Sequence, residues 1–551
     1  MKDKKPATVA VHSTAEADVE TLLSGPAAES LEPHLVEYVK GRRWFGGKAR
    51  RIASLKIEDS VRLRPGKHAP WLAVLGISYV NGDFERYLLP LASLPPGNDD
   101  PALLASKICD LEVEGGGVAA HLVDAATDPR VATALLECML QRRRLRGESL
   151  EICGFPIQGR RAREVPELPG PGAVKAEQSN TSIVFGDRYI LKLFRRVEEG
   201  VNPDLEIGQF LTKNRFASVP AVEGWIEART GERTFTASVL QSFIPNATDG
   251  WNFTLDALGR FFNRVLTGPE DPPPPCPIRE LLEEPVPAWA AEVFGVYTAS
   301  VALLGTRTAE LHTVLGSETA DPAFAPEAFT PFAQRSFYQS LRNLTHHVLE
   351  LLERKVVELP GETQVDARRV LSLKDALLHK FRSLLDTRLS SLRIRCHGDF
   401  HLGQVLFTGK DFAFIDFEGE PARPLGERRL KRSPLRDVAG MLRSFHYVAF
   451  AALRDGIARP EDRPRLEPWA RAWHARMGAV FLAAYLKAAA GPVFTWSPQE
   501  LHLLLEAHLL EKAVYEIGYE LENRPDWLRI PLQGLLELNT PDAPGEVRPS
   551  P

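Results

Sequence analysis

"RCHGDFHLGQVL" runs from Arg395 to Leu406 and sets a histidine, an aspartate and a glutamine ahead of an apolar run. Asp399 and Gln404 stand five residues apart. Twelve residues after Gln404 comes Asp416, closing the apolar run of "FAFIDFEGE". A single aspartate beside an apolar run is ordinarily a turn or cap residue. Two of them, with an amide between and each next to a strand-like segment, ask for more. A buried carboxylate is costly unless something pairs with it, and a metal ion would.

Phosphoryl transfer from ATP needs such a set: a carboxylate near the acceptor hydroxyl, oxygen ligands for magnesium and a cation on the phosphates. Protein kinases place the amide five residues after the H-R-D aspartate, and a D-F-G aspartate follows. Asp399 and Gln404 reproduce the spacing, and Asp416 stands in "FIDFEG". Gln404 and Asp416 offer the hard oxygen donors that Mg²⁺ takes. The cation comes upstream. Lys192 falls in the strand-like "YILKLF", and Glu206 in a helix opened by Asn202–Pro203. A strand lysine paired to a helix glutamate anchors the α- and β-phosphates in kinases. No G-x-G-x-x-G precedes Lys192. In its place stands "EQSNTS" (177–182), where Ser179, Asn180 and Thr181 are candidates to meet phosphates, with a plain polar turn as the alternative. Gln241 and Phe243, at the end of "TFTASVLQSFI", complete the nucleotide-site candidates.

The surrounding chain has room for these parts. Its 551 residues, 44% hydrophobic, suggest about two to four domains. A net charge of −5 leaves no electrostatic footprint for nucleic acid. The basic runs 141–146 and 426–436 read as solvated faces. Cys109, Cys138, Cys153, Cys276 and Cys396 lack C-x-x-C spacing, which argues against a disulfide framework or zinc site and fits a reducing compartment. No signal-peptide h-region and no membrane-length apolar stretch is seen, so a cytoplasmic protein without a membrane partner is expected.

The pattern predicts a disordered tail over 1–30. An α+β domain follows over 31–148, with a helix ending by Gly46–Gly47, three strand-like runs and the helical "DPRVATALLECMLQRRR". Residues 149–245 read as strand-rich, with a hairpin turning at Gly186–Asp187, and 246–551 as helical. The proline run within 267–277 breaks the helical part and favours an extended segment. The fold class is α+β: a bilobal, protein-kinase-like fold with a β-rich N-lobe, a helical C-lobe and an N-terminal α+β cap.

A surface for the acceptor lies near the C-terminus. In "LLEKAVYEIGYELENRPDW", Leu510, Val514, Ile517 and Leu521 form an apolar stripe at helical spacing. Lys512, Tyr515, Glu516 and Tyr519 lie on the opposite face. Two aromatics and two charges suit a sugar, whose C–H faces lie on rings and whose hydroxyls need polar partners. Arg524 and Trp527 follow in the next turn. An ordinary solvated face is the alternative.

These stretches, with "GRRWFGGKAR" (41–50) and "SNTSIVFGDRYILKLFRRVEEGVNPDLEIGQFL", resemble bacterial maltokinases of the aminoglycoside-phosphotransferase-like branch of the kinase fold. The resemblance implies ATP-dependent phosphorylation of maltose to maltose 1-phosphate for α-glucan synthesis, and association with a trehalose/maltose-interconverting enzyme. It implies Asp399 as catalytic base, Gln404 and Asp416 as magnesium ligands, and Lys192 with Glu206 as the phosphate anchor. His397 would support the catalytic loop at the edge of the acceptor set, and Asp437 would cap that loop's amides. Two rival readings remain: an amino-sugar or aminoglycoside kinase, whose cationic substrate Lys512 and Arg524 would repel although Glu516 and Glu520 leave the matter open, and a catalytically inactive binding module.

Overall fold

The computed structural model describes residues 8–11, 19–23, 25–48, 50–66, 68–98, 100–113, 117–157, 175–176, 179–268, 271–274, 276, 278, 280–282, 294–454, 456–489 and 491–539. The chain divides into two compact units. The first comprises residues 1–213, 220–245 and 421–425, and the second 214–219, 246–420 and 426–551.

Two sheets build the first unit. One holds β1 (Thr8–Val11), β2 (Ile52–Arg62), β3 (Trp71–Tyr79), β4 (Phe84–Leu94), β5 (Lys107–Val113) and β6 (Val118–Asp124), in the order β1-β5-β6-β4-β3-β2. The other holds β7 (Arg144–Arg146), β8 (Leu150–Pro156), β9 (Lys175–Ala176), β10 (Asn180–Phe185), β11 (Tyr189–Phe194), β13 (Val222–Thr230) and β14 (Arg233–Ser242), in the order β7-β8-β13-β14-β11-β10-β9. Between β11 and the Pro203–Lys213 helix, the short β12 (Arg196–Val197) crosses to pair with β4. The boundary expected near 148 therefore falls inside one unit. The physical reason is a shared core: Val61, Leu72, Val74 and Leu88 of the first sheet belong to one buried cluster with Ile183, Leu191, Val239 and Leu240 of the second.

The hairpin forms as read. β10 and β11 pair antiparallel from Asn180↔Phe194 to Phe185↔Tyr189, and Gly186 turns the corner at φ +58°. Of the tail expected over 1–30, residues 1–7, 12–18 and 24 lie outside the described residues. Thr8–Val11 pairs parallel with β5, and Val19 and Leu22 are fully buried against the Gly25–Lys40 helix. A short β-branched run found a sheet edge that composition alone does not reveal. That helix ends at Lys40 rather than near Gly46.

A buried charge joins the two sheets. Arg195, 2% exposed, donates to both Asp124 carboxylate oxygens at 3.1 and 3.0 Å, and Tyr38 donates to the same carboxylate at 3.0 Å. Arg195 Nε also donates to Thr181 Oγ1 at 2.8 Å. The guanidinium thus has acceptors on both sheets, which is what a buried charge requires.

The second unit is helical, with a small sheet of Thr248–Asp249, Val405–Phe407 and Phe412–Phe414. Its long helices include Gly250–Thr267, Tyr297–Leu315, Leu435–Arg454, Arg463–Ala488, Pro498–Asn523 and Arg529–Leu538. The Gly250–Thr267 helix stops as the proline run begins, and Arg465 caps its last carbonyls at 3.1 to 3.2 Å. Beyond the prolines, Cys276, Ile278 and Leu281 pack on Ala475 and Ala479. The basic run 426–436 is not the solvated face expected. Lys431 is buried on Glu327 at 2.9 Å, and Arg436 pairs with Glu420 at 2.9 Å. Among the described residues no helix is long and apolar enough to cross a membrane.

Candidate active site

The quoted stretch forms a sharp turn between two buried anchors. Gly398 takes φ +88°, and a Cβ there would lie 3.3 Å from the Gly419 Cα. The H-G-D turn and the turn after Asp416 therefore touch backbone to backbone, which only glycine allows. From behind, the Leu435–Arg454 helix presses in at Gly440, where a Cβ would meet the Phe400 carbonyl oxygen at 2.5 Å.

Asp437, on that helix, holds the turn. Its Oδ2 accepts from the His397 N–H at 2.7 Å and its Oδ1 from the Gly398 N–H at 2.9 Å. This is the amide-capping role expected of it. His312 Nε2 lies 3.0 Å from the same Oδ2, and its Nδ1 lies 2.9 Å from the Tyr485 hydroxyl. Burial would raise the Asp437 carboxyl. The His312 hydrogen bond and charge, with the neighbouring donors, overcome this and hold it below the ordinary carboxylate value. His397 is buried, its Nε2 2.9 Å from the Ile415 carbonyl oxygen. It ties the Asp399 loop to the Asp416 loop and has no side-chain surface for a sugar, a correction to its place in the acceptor set.

Asp399 faces Lys512, whose Nζ lies 2.9 Å from Oδ1. His401 Nε2 stands 3.9 Å from Oδ2. Burial opposes ionisation of Asp399, but Lys512 and the two histidines together hold its carboxyl well below the usual range. Burial pushes His401 down from its ordinary value, so it stays neutral near pH 7. Lys512 also lies 3.7 Å from Glu420, and the two carboxylates hold the ammonium protonated against the opposing effect of burial. Gln404 donates its amide N–H to Asp416 Oδ2 at 3.1 Å. Asp416 has φ +67°, a left-handed backbone that costs roughly 1–2 kcal/mol and that aspartate tolerates better than most. Strain of this kind gathers where a side chain must be aimed. One amide oxygen and one carboxylate fit a magnesium ion that draws its other ligands from phosphates and water.

The acceptor candidates share the Pro498–Asn523 helix and the turn after it. Leu510, Val514, Ile517 and Leu521 are buried as expected. Tyr515 and Tyr519 stack at 6.4 Å, and the Lys512 Nζ lies 4.9 Å over the Tyr515 ring. Trp527 stacks on Tyr447 at 5.9 Å beneath Arg524. The charges are matched. Arg443 pairs with Glu516 at 2.6 Å, and Arg524 with Glu520 at 2.6 Å, whose carboxylate also takes the Tyr447 hydroxyl. Arg524 and Lys512 are thus neutralised, and repulsion of a cationic substrate no longer separates the rival readings. Sequence reasoning missed Glu420 and His401. Each follows one of the aspartates within four residues, in a loop whose contacts no periodicity encodes.

In the first unit, Lys192 is buried in β11, and Asp204 takes its Nζ at 3.2 Å. Glu206, the expected partner, stands two positions on in the same helix, and Asp204 is the fully buried one of the two. The Thr181 hydroxyl accepts from Arg195 Nε at 2.8 Å, Asn180 is buried beside it, and Ser179 is half-buried. Gln241 is buried near the end of β14, and the Phe243 amide donates to the Arg188 carbonyl at 2.9 Å.

Residues 38–128 match the maltokinase N-terminal cap domain, and residues 173–420 match the phosphotransferase enzyme family. The chain is a maltokinase-like kinase of that family. Among curated relatives, a glucosamine kinase of Streptacidiphilus jiangxiensis is 24% identical over 67% of this chain and 74% of its own. One of Mycolicibacterium smegmatis is 27% identical over 67% and 81%. A solved glucosamine kinase in complex with glucosamine, ADP and inorganic phosphate matches with a TM-score of 0.57 at 20% identity, covering 92% of this chain and 99% of that one. A second crystal form matches with a TM-score of 0.56. At this identity the likeness speaks for the fold: a cap followed by a kinase-like α+β body.

Proposed function

We propose that this kinase transfers the γ-phosphoryl group of ATP to the anomeric hydroxyl of maltose, giving maltose 1-phosphate and ADP. One observation carries the reading: Lys512 belongs to the helix that bears Tyr515 and Tyr519, and its ammonium rests on Asp399. The residues suited to a sugar and the carboxylate suited to an acceptor hydroxyl thus form one site. The stacked tyrosines suit the C–H faces of glucose units.

Asp399 is ionised throughout the working pH range. It orients the acceptor hydroxyl and takes its proton as the bond to phosphorus forms. A strongly basic group is not needed, because the transition state is loose and asks mainly for positioning. Lys512 keeps Asp399 charged, and Asp437 keeps its loop in place. Gln404 and Asp416 would hold magnesium, which when bound neutralises phosphate charge. Lys192, set by Asp204, would bind the α- and β-phosphates, with Ser179 and the end of β14 contributing to the nucleotide site.

Glucosamine is the second reading, favoured by the names of the curated relatives. Parallel measurement of ADP release with maltose, glucosamine and an aminoglycoside separates them. Maltose is expected to give the highest kcat/KM. Turnover of glucosamine without turnover of maltose would transfer the assignment to the amino sugar, and turnover of none would remove both sugar readings.

A further inference from the structure

Away from the active site, three helices of the second unit bring His446, His474 and Glu537 together. Their ligand-type atoms all lie within 4.8 Å of one another. His446 comes from the Leu435–Arg454 helix, His474 from Arg463–Ala488 and Glu537 from Arg529–Leu538. We propose that they form a binding site for a first-row divalent metal ion of the zinc class, clamping the three helices.

The geometry suits such an ion. Tetrahedral ligands at about 2.1 Å from zinc stand about 3.4 Å apart. His446 Nε2 and His474 Nε2 lie 3.5 and 3.7 Å from Glu537 Oε2. These distances are too long for hydrogen bonds and close to those of two ligands on one ion. The second observation is His446 itself. It is 3% exposed, and among the described residues neither of its ring nitrogens has a hydrogen-bond partner. A buried imidazole without a partner is costly, and an ion would satisfy it. The His446 and His474 rings meet edge to face at 4.9 Å, so their nitrogens are not blocked by stacking.

The charges nearby are compatible with a cation. Arg471 touches Glu537 Oε1, which leaves Oε2 toward the histidines, and it also pairs with Glu467 at 2.8 Å. Arg443 is neutralised by Glu516 at 2.6 Å. Two imidazoles and one carboxylate are a zinc-type donor set, and Arg471 behind the carboxylate is the kind of outer partner that fixes a ligand's orientation. Three protein ligands leave a fourth position for water.

The test uses the full chain, stripped with a chelator and dialysed against Zn²⁺ or Co²⁺. Wild type is expected to retain one equivalent more than His474→Gln or Glu537→Gln, with affinity falling more than tenfold in each variant. Wild type alone is expected to gain thermal stability on adding zinc and to show the intense visible absorption of four-coordinate cobalt. Both substitutions sit at partly exposed positions, and circular dichroism of the metal-free proteins checks their folding. Equal metal retention by wild type and a folded variant, or no retained equivalent in wild type, overturns the site.

Discussion

Replacing Asp437 by asparagine keeps the shape of the side chain and removes one acceptor. Three donors converge on the carboxylate: the amides of His397 and Gly398 and the ring of His312, at 2.7, 2.9 and 3.0 Å. An asparagine amide has a single acceptor oxygen. Placed at Oδ2 it keeps His397 and His312 and leaves the Gly398 amide facing an NH₂ group. The opposite orientation loses two bonds. The better choice strands one buried donor, at about 1–3 kcal/mol, and turns two charge-assisted bonds into neutral ones, at about 1 kcal/mol each. Asp437→Asn should therefore cost about 3–5 kcal/mol, read as a lowered urea midpoint for the second unit. Because the same amides hold the turn that presents Asp399, kcat should fall while the KM for ATP changes little. The wild-type contribution is present above the ordinary carboxylate range and is lost as pH falls through the lowered folded value of Asp437, so the variant should lack that acid-side loss. A variant within 1 kcal/mol of wild type and with unchanged kcat would show that Asp437 does not brace the loop.

Asp399→Asn should lower kcat by about 10²–10⁴ while nucleotide affinity, read by calorimetry, stays near wild type; retained turnover would move the base elsewhere. Lys512→Met removes the ammonium that keeps Asp399 ionised, so the acid limb of the kcat profile should move to higher pH, and an unmoved limb would separate the two residues. Arg195→Met leaves a buried Asp124 carboxylate with Tyr38 and an amide as partners, and should destabilise the first unit by about 3 kcal/mol in denaturant titration. The double variant Arg195→Met with Asp124→Leu should recover much of that loss; strict additivity would mean the pair is not coupled.

Much of the site was legible because its chemistry is written in short spacings. The five residues from Asp399 to Gln404 and the apolar run before Asp416 follow from loop and strand geometry alone. Asp204 was not legible. That an aspartate two residues before Glu206 also reaches Lys192 depends on the helix's rotation about its axis, set by Leu205, Ile207 and Leu211 seeking the core. The Thr8–Val11 strand was hidden because four residues gain their pairing only from β5, about a hundred positions later. The acceptor helix was read correctly as two-faced. Its matched charges were not, because Arg443 and Tyr447 come from a separate helix.

The cluster that joins Val61 and Leu88 to Leu191 and Val239 makes the cap and the lysine-bearing sheet one folding unit. Anyone grafting this cap onto another kinase, or trimming it away to obtain a smaller enzyme, would be cutting through oil. Exchange between homologues should succeed when the crossover falls at the passage into residue 246 and fail near 148. The interchangeable module of this architecture is then the pair of sheets together.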